Sequence, residues 1–385
     1  MVKLSDMFTL QMGKTPSRDN SAYWNGTHKW VAIADLGKAT KYIVDTKECI
    51  TDLAVSETGI KATPKNTVVM SFKLSIGKTA ITTEEIYTNE AIMSFVDKGI
   101  YDFDIDYIYY LFSGKDWSEG TNKAVMGVTL NKATLSQISI PLPPLEIQKQ
   151  IACTLDKVTH TIDTCNAILE KLDLLVKSRF IELFGDPVEN PFQWDTIPLE
   201  NACQSIVDCP HSTPSYTFEN TGYMCIRTSI VKKNAILWDK IEYIPKDEYD
   251  QRIKRRKPQK GDIIYTREGA ILGIAAIIDK DCNVALGQRS MLLSPNTKIC
   301  LPEFISSAMN FDSFFNRVTE GVSGSASPHI NVADIRAFGI MIPPIDLQEQ
   351  FAAFVGQTDK SKLAVKQVLE KAETLKKALM QEYFG

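Results

Sequence analysis

The chain has 385 residues, 44% hydrophobic and 23% charged, with 47 acidic against 43 basic side chains and a formal net charge of −4. That length is about two ordinary domains, and the composition, free of low-complexity tracts, excludes extended disorder. The charge excludes a uniformly basic nucleic-acid binder while leaving room for a basic stripe on one face; no apolar run approaches the ~20 residues of a membrane span, and none forms a signal-peptide core, so no membrane contact and a cytoplasmic location are expected.

Residues 1–142 read as mixed strand and turn. Trp30 to Ala34 and Thr67 to Ser71 are short β-prone runs bounded by Gly, Asn, Pro and Asp, which predicts a compact α/β globule. Residues 143–185 change character. Ile151, Leu155, Val158, Ile162, Cys165, Leu169, Leu172 and Val176 step by four and three in alternation, a heptad seam that predicts a coiled-coil helix. Pro143-Pro144 sets its start and Gly185-Asp186-Pro187 its stop. Cys165 on that seam reads as a small hydrophobe.

Residues 186–342 repeat the outline of the first globule. Thr15-Pro16-Ser17 matches Thr213-Pro214-Ser215, and the stretch Pro64 to Val69 aligns with Pro258 to Ile263. Residues 343–385 repeat the helix with a less regular seam at Phe354, Thr358, Ser361, Val365, Val368, Ala372, Leu375 and Leu379. The repeat is clearest where the helices begin: Pro143-Pro144-Leu145-Glu146-Ile147-Gln148-Lys149-Gln150 returns 200 positions later as Pro343-Pro344-Ile345-Asp346-Leu347-Gln348-Glu349-Gln350. Both helices hold Leu-Glu-Lys and end on Phe-Gly, at Phe184-Gly185 and Phe384-Gly385. So long a period means two copies of a domain plus helix rather than a solenoid. A helix of ~35 residues is ~50 Å long and cannot hide its stripe alone. The expected fold is therefore mixed α/β (α+β), two similar domains joined by an antiparallel coiled coil with pseudo-twofold symmetry. Two such modules suit two sites on one duplex about a helical turn apart, ~34 to 36 Å.

These motifs, with Gly261-Asp262-Ile263-Ile264-Tyr265-Thr266-Arg267-Glu268-Gly269 in the second globule, resemble the DNA specificity subunit of type I restriction-modification systems. The resemblance covers essentially the whole chain. It implies two target recognition domains, each reading half of a split, asymmetric sequence on double-stranded DNA. It further implies helices that set the spacer and dock two methyltransferase subunits, with motor-nuclease restriction subunits joining. No cofactor is expected on this chain; S-adenosylmethionine belongs to the methyltransferase subunits.

Signatures of catalysis are missing. Gly13-Lys14-Thr15 and Gly77-Lys78-Thr79 end like phosphate loops, but Phe8 and Phe72 stand where the first glycine must be. Both Pro-Pro pairs are followed by aliphatic residues, unlike an amino-methyltransferase motif, and Asp262 with Glu268 lacks the lysine of a metal nuclease. No Gly-x-Ser-x-Gly elbow occurs. Eight cysteines without a Cys-x-x-Cys pair read as reduced and mostly buried, and four unpaired histidines supply no metal site.

For DNA contact the densest candidate is Arg252, Lys254, Arg255, Arg256 and Lys257, with Lys260 beyond it, against the alternative of a solvated charged face. Arg227-Thr228 and Gln288-Arg289 place donors at expected strand ends, and Arg267 lies in the Gly261 motif. The small-residue loop from Gly321 to His329, with Ser325 and His329, brings backbone N–H groups toward phosphate or is a plain connector. In the first globule Lys14, Ser17 and Arg18 interleave with Trp24 and Trp30, whose alternative is core or turn packing; Lys73 and Lys78 are the stronger phosphate candidates. Gln148, Gln150, Gln348 and Gln350 bond the helix starts, contact the partner helix, or dock the methyltransferase subunits. Two rival readings stay open: a coiled-coil interaction scaffold without DNA binding, and an atypical endonuclease.

Overall fold

The computed structural model describes residues 1–73, 75–117, 122–124, 127–269, 271–320 and 328–385. Two helices of 40 residues each, Leu145–Phe184 and Ile345–Phe384, dominate it. The chain divides into two compact units: residues 1–166 with 367–385, and residues 167–366. Each unit is thus one globule with the near half of each long helix. Among the described residues no helix is long and apolar enough to cross a membrane.

Unit 1 contains β1 (Phe8–Met12), β2 (Trp24–Val31), β3 (Tyr42–Ile43), β4 (Glu48–Ile50), β5 (Val68–Ser71), β6 (Thr79–Thr82), β7 (Tyr87–Thr88) and β8 (Ile92–Asp97). They form a sheet of order β1-β8-β5-β6-β3 and a smaller one of order β4-β2-β7. The central strand β5 is buried on both faces, which is why Val68-Val69-Met70 reads as a continuous apolar run. Its alternation sends Val68 and Met70 to a core with Phe8, Phe95, Ile108 and Phe112, and Val69 to a second core with Val31, Ile43 and Ile92.

Unit 2 repeats this plan with β9 (Cys203–Asp208), β10 (Met224–Ile226), β11 (Glu242–Tyr243), β12 (Ile263–Thr266), β13 (Ala275–Ile277), β14 (Val284–Leu286) and β15 (Ser290–Pro295). The sheets are β9-β15-β12-β13 and β11-β10-β14. Ile263 and Tyr265 of β12 face one core and Ile264 the other, as in β5. Each globule also closes on itself ahead of its long helix: Val2–Lys3 pairs with Ser139–Ile140, and Thr196–Pro198 with Gly339–Met341.

The long helices pack antiparallel in each unit. In unit 2 the Phe351 ring, near the start of the second helix, lies 5.5 Å and 5.6 Å from those of Phe180 and Phe184, at the end of the first. In unit 1 the reverse holds, with Lys376 against Asp163 and Asp156. Gly185 ends the first helix with φ 78°, and its N–H bonds Ile181 O at 2.8 Å. A side chain there would collide with Pro191.

Every predicted seam position of the first helix, Ile151 through Val176, is buried or half-buried. The seam predicted for the second is corrected. Its sheltered stripe is Phe351, Val355, Thr358, Lys362, Val365, Leu369, Ala372, Lys376, Leu379 and Tyr383, a strict four-three alternation. Ser361, Val368 and Leu375 point to solvent instead, Val368 at 49% and Leu375 at 50% exposure. Two lysines on the true stripe disguise it. The alignment of Pro64–Val69 with Pro258–Ile263 is also off by one. Asn66 N–H bonds Thr82 O as Gly261 N–H bonds Ile278 O, and both residues have positive φ, 56° and 90°.

Candidate nucleic-acid interface

In unit 2 the C-terminal ends of β9, β10, β12 and β14 and the N-terminal end of β15 meet along one rim. Four backbone bonds tie it: Cys209 N to Ser290 O (3.2 Å), Arg267 N to Arg289 O (3.0 Å), Ile330 N to Arg267 O (2.9 Å) and Gly287 N to Ile226 O (2.9 Å). Unit 1 has the same four, Gly13 N to Ile92 O (3.2 Å), Phe72 N to Ala91 O (3.0 Å), Leu130 N to Phe72 O (3.2 Å) and Asn89 N to Val31 O (3.0 Å). The frames therefore correspond residue by residue, with Phe72 in the place of Arg267 and Glu90-Ala91 in that of Gln288-Arg289.

The shared threonine motif fastens to each rim in the same way. Thr213 Oγ1 donates to Gln288 Oε1 at 2.8 Å, and Thr15 Oγ1 donates to the Glu90 carboxylate. Pro16 and Pro214, next in each motif, are buried.

The arginines of the unit 2 rim differ in what they can do. Arg267 is buried: Nε reaches Asp208 Oδ1 at 3.1 Å, and Nη2 reaches Glu268 Oε1 at 2.9 Å. His211 Nε2 also meets Asp208, at 3.1 Å. Arg252 is buried too, spending its guanidinium on Glu248 (3.1 Å), Leu286 O (3.3 Å) and Ser212 O (2.8 Å). Both arginines anchor the rim's own loops. Arg227 is exposed, held by the Glu242 carboxylate at 3.0 Å, and its guanidinium lies 4.6 Å from the Tyr216 ring centroid. Arg289 is exposed in the left-handed region (φ 69°), a conformation that disfavours any residue with a Cβ. Thr228 opens a 3-10 turn beside Arg227, and His329 is exposed and bridges to Glu268. Ser325 lies outside the described residues.

The basic run does not present one face. Arg255 reaches the rim, donating to Asp208 O at 3.3 Å. Arg256 turns to Asp262 at 3.2 Å, and Lys257 to Asn283 Oδ1 at 3.2 Å. Lys257 and Lys260 line a separate shallow cleft with Asp281 and Asn283. Lys254 is exposed.

In unit 1 Lys14, Ser17 and Arg18 are exposed on the loop after β1. Trp30 Nε1 donates to Lys14 O at 3.1 Å and Trp24 Nε1 to Ser17 O at 3.0 Å, so the indoles shape this loop from beneath. Arg18 lies 4.0 Å from the Trp24 ring centroid and binds Glu48, which raises the arginine's pKa and lowers the carboxylate's. Lys73 is half-buried, 5.3 Å from the Phe72 ring centroid, and Lys78 is exposed.

The glutamines separate into two pairs. Gln148 and Gln348 are buried and fully engaged: Gln148 Oε1 accepts from Asp104 N (2.9 Å) and its Nε2 donates to Pro143 O (2.7 Å), while Gln348 Oε1 accepts from Leu301 N (2.8 Å) and its Nε2 donates to Pro343 O (2.8 Å). Each ties the loop entering a globule helix, Ile105–Gly114 or Pro302–Met309, to a long helix. Of the roles open to these two side chains, the bonds they make are those of the helix starts. Gln150 and Gln350 are exposed. All eight cysteines are free, and burial pushes the thiols of Cys203 and Cys225 up to about 12, which removes thiolate chemistry at neutral pH.

A search for basic residues passes over Asp208, Tyr216 and Glu242, which hold the cations of the unit 2 rim, and over Glu90, which holds Thr15 in unit 1. The repeated Thr-Pro-Ser was the available signal.

The chain matches the profile of the type I restriction modification DNA specificity domain over residues 1–174 and 193–374, and it belongs to that family. It is similar to the type I restriction enzyme MjaIX specificity subunit of Methanocaldococcus jannaschii, at 26% identity over 92% of this chain and 85% of the relative. Its fold is similar to the crystal structure of the type I restriction-modification S subunit from M. genitalium, with TM-score 0.61 and 14% identity over 100% of this chain and 95% of the other. A chain from a structure of type I restriction-modification complex assembly matches with TM-score 0.56 and 16% identity, covering 100% and 96%. This is a specificity subunit: the non-catalytic component of a type I restriction-modification complex, which recognises the DNA target site.

Proposed function

We propose that residues 1–142 and 186–342 are two target recognition domains, each reading half of a split, asymmetric sequence in double-stranded DNA through its rim. The helices at 143–185 and 343–385 set the spacing between the halves and dock two adenine methyltransferase subunits, with restriction subunits joining that complex. S-adenosylmethionine is bound by the methyltransferase subunits, whose target adenine leaves the base stack to be reached. The complex works in the cytoplasm.

One observation carries this reading: the same hydrogen-bonded frame occurs twice with different side chains on it. A common frame gives both domains one way to approach a duplex, and unlike side chains give unlike half-sites. Lys14, Ser17, Arg18, Lys73 and Lys78 in the first domain, and Lys254, Arg255 and His329 in the second, supply phosphate contacts that orient the protein without reading bases. Arg227, with Thr228 beside it, and Arg289 are placed to reach base edges.

The test is a hybrid chain in which residues 196–341 are replaced by the matching segment of a relative with another target. Selection from a randomised duplex pool should return a sequence changed in one half only. Change in both halves, or in neither, contradicts the reading.

A further inference from the structure

We infer that Glu90 and the pair Gln288-Arg289, which occupy equivalent places on the two rims, make the two half-sites differ: Arg289 reads a guanine in one, and Glu90 reads an amino-bearing base in the other. The inference rests on the two-domain reading above.

The equivalence is geometric. Ala91 O accepts from Phe72 N as Arg289 O accepts from Arg267 N, and the preceding Glu90 and Gln288 each accept from the threonine of the shared motif. These threonines decide what each rim displays. In unit 2 the Gln288 oxygen is bound to Thr213, which leaves the amide NH2 as the end of this half-buried side chain that can donate, and the exposed Arg289 guanidinium beside it adds further donors. Guanine offers two adjacent acceptors, O6 and N7, in the major groove, and a guanidinium fork matches them. In unit 1 one Glu90 oxygen is bound to Thr15 and the exposed carboxylate offers only acceptors, which match the exocyclic amino group of cytosine or adenine. Ala91 has no reach.

Arg289 also bears backbone strain. Non-glycine residues at positive φ lie in a sparsely populated region, and such residues cluster at binding sites. Its carbonyl is used by Arg267, whereas its side chain runs beside Gly269: a Cβ added at that glycine would lie 3.4 Å from Arg289 Nη1, an ordinary contact distance, and glycine stands there for its φ of 86°.

The experiment uses the full chain in complex with its methyltransferase partners, challenged with randomised duplexes. Arg289→Gly suits the backbone, so it should melt no lower than the wild type while losing discrimination at one guanine of one half-site by about tenfold or more. Glu90→Gln should relax one amino-bearing position in the other half-site. Loss of preference at a base other than guanine, loss in both halves, or an unchanged motif in Arg289→Gly overturns the inference while the two-domain reading stands. If the wild-type complex selects no split motif, both fall together.

Discussion

The Lys362 ammonium lies 2.7 Å from the Asp173 carboxylate, joining the second long helix to the first within unit 2. Lys362 stands on the sheltered stripe, as does Lys376 in unit 1. Burial holds the Lys376 ammonium below its ordinary value of 10.5, opposed by Asp163 and Asp156. Polar residues on a heptad seam lower stability and specify register. Lys376→Met is expected to stabilise the fold by about 1 kcal/mol at neutral pH. The pH dependence has a definite sign. Between the lowered folded value and 10.5 the unfolded chain binds more protons, so wild-type stability rises with pH and the mutant's advantage shrinks. Denaturant unfolding at pH 7 and in the alkaline window checks both.

Gln148 and Gln348 satisfy partly buried backbone groups at the globule helices. Replacing either by Ala leaves Asp104 N or Leu301 N without its partner and should destabilise by about 1–3 kcal/mol. Gln150→Ala and Gln350→Ala, at exposed positions, should leave melting unchanged and weaken capture of methyltransferase subunits. Thermal melts and pull-down with those subunits separate the two pairs.

The repeat made the architecture legible, because Pro-Pro before each helix and Phe-Gly after it punctuate two copies of one plan. The stripe of the second helix was not legible. Lys362 and Lys376 occupy core positions, while Leu363, Val368 and Leu375 are exposed at 59%, 49% and 50%, so apolar pattern alone favours the wrong phase. The rim was legible only in part. Arg227 and Arg289 announce themselves as donors, but Glu90 gains its place from Thr15, a contact between residues 75 apart. Arg252 and Arg267 look identical to their exposed neighbours in sequence and differ only through the acids that bury them.

Arg267 links two carboxylates in a sheltered place, so Arg267→Ala should destabilise unit 2 by about 3 kcal/mol, because Glu268 loses its cation and Asp208 keeps only His211. Unfolding by urea reads this directly. An unchanged midpoint would return Arg267 to the set of free DNA contacts.

The basic run should divide in its salt response. Alanine at Lys254 and Arg255 together is expected to reduce the slope of log affinity against log salt by up to about 2, one unit per lost phosphate contact. Alanine at Lys257 and Lys260, which line the separate cleft, should leave that slope unchanged. Titration of DNA binding at several salt concentrations compares them.

Two rims that read two unlike half-sites should leave a split mark on DNA. The measurement is a map of methylated adenines at single-base resolution in cells that express this chain with its methyltransferase subunits. One split, asymmetric sequence with a constant spacer is the predicted result; a continuous or palindromic methylated sequence would contradict it.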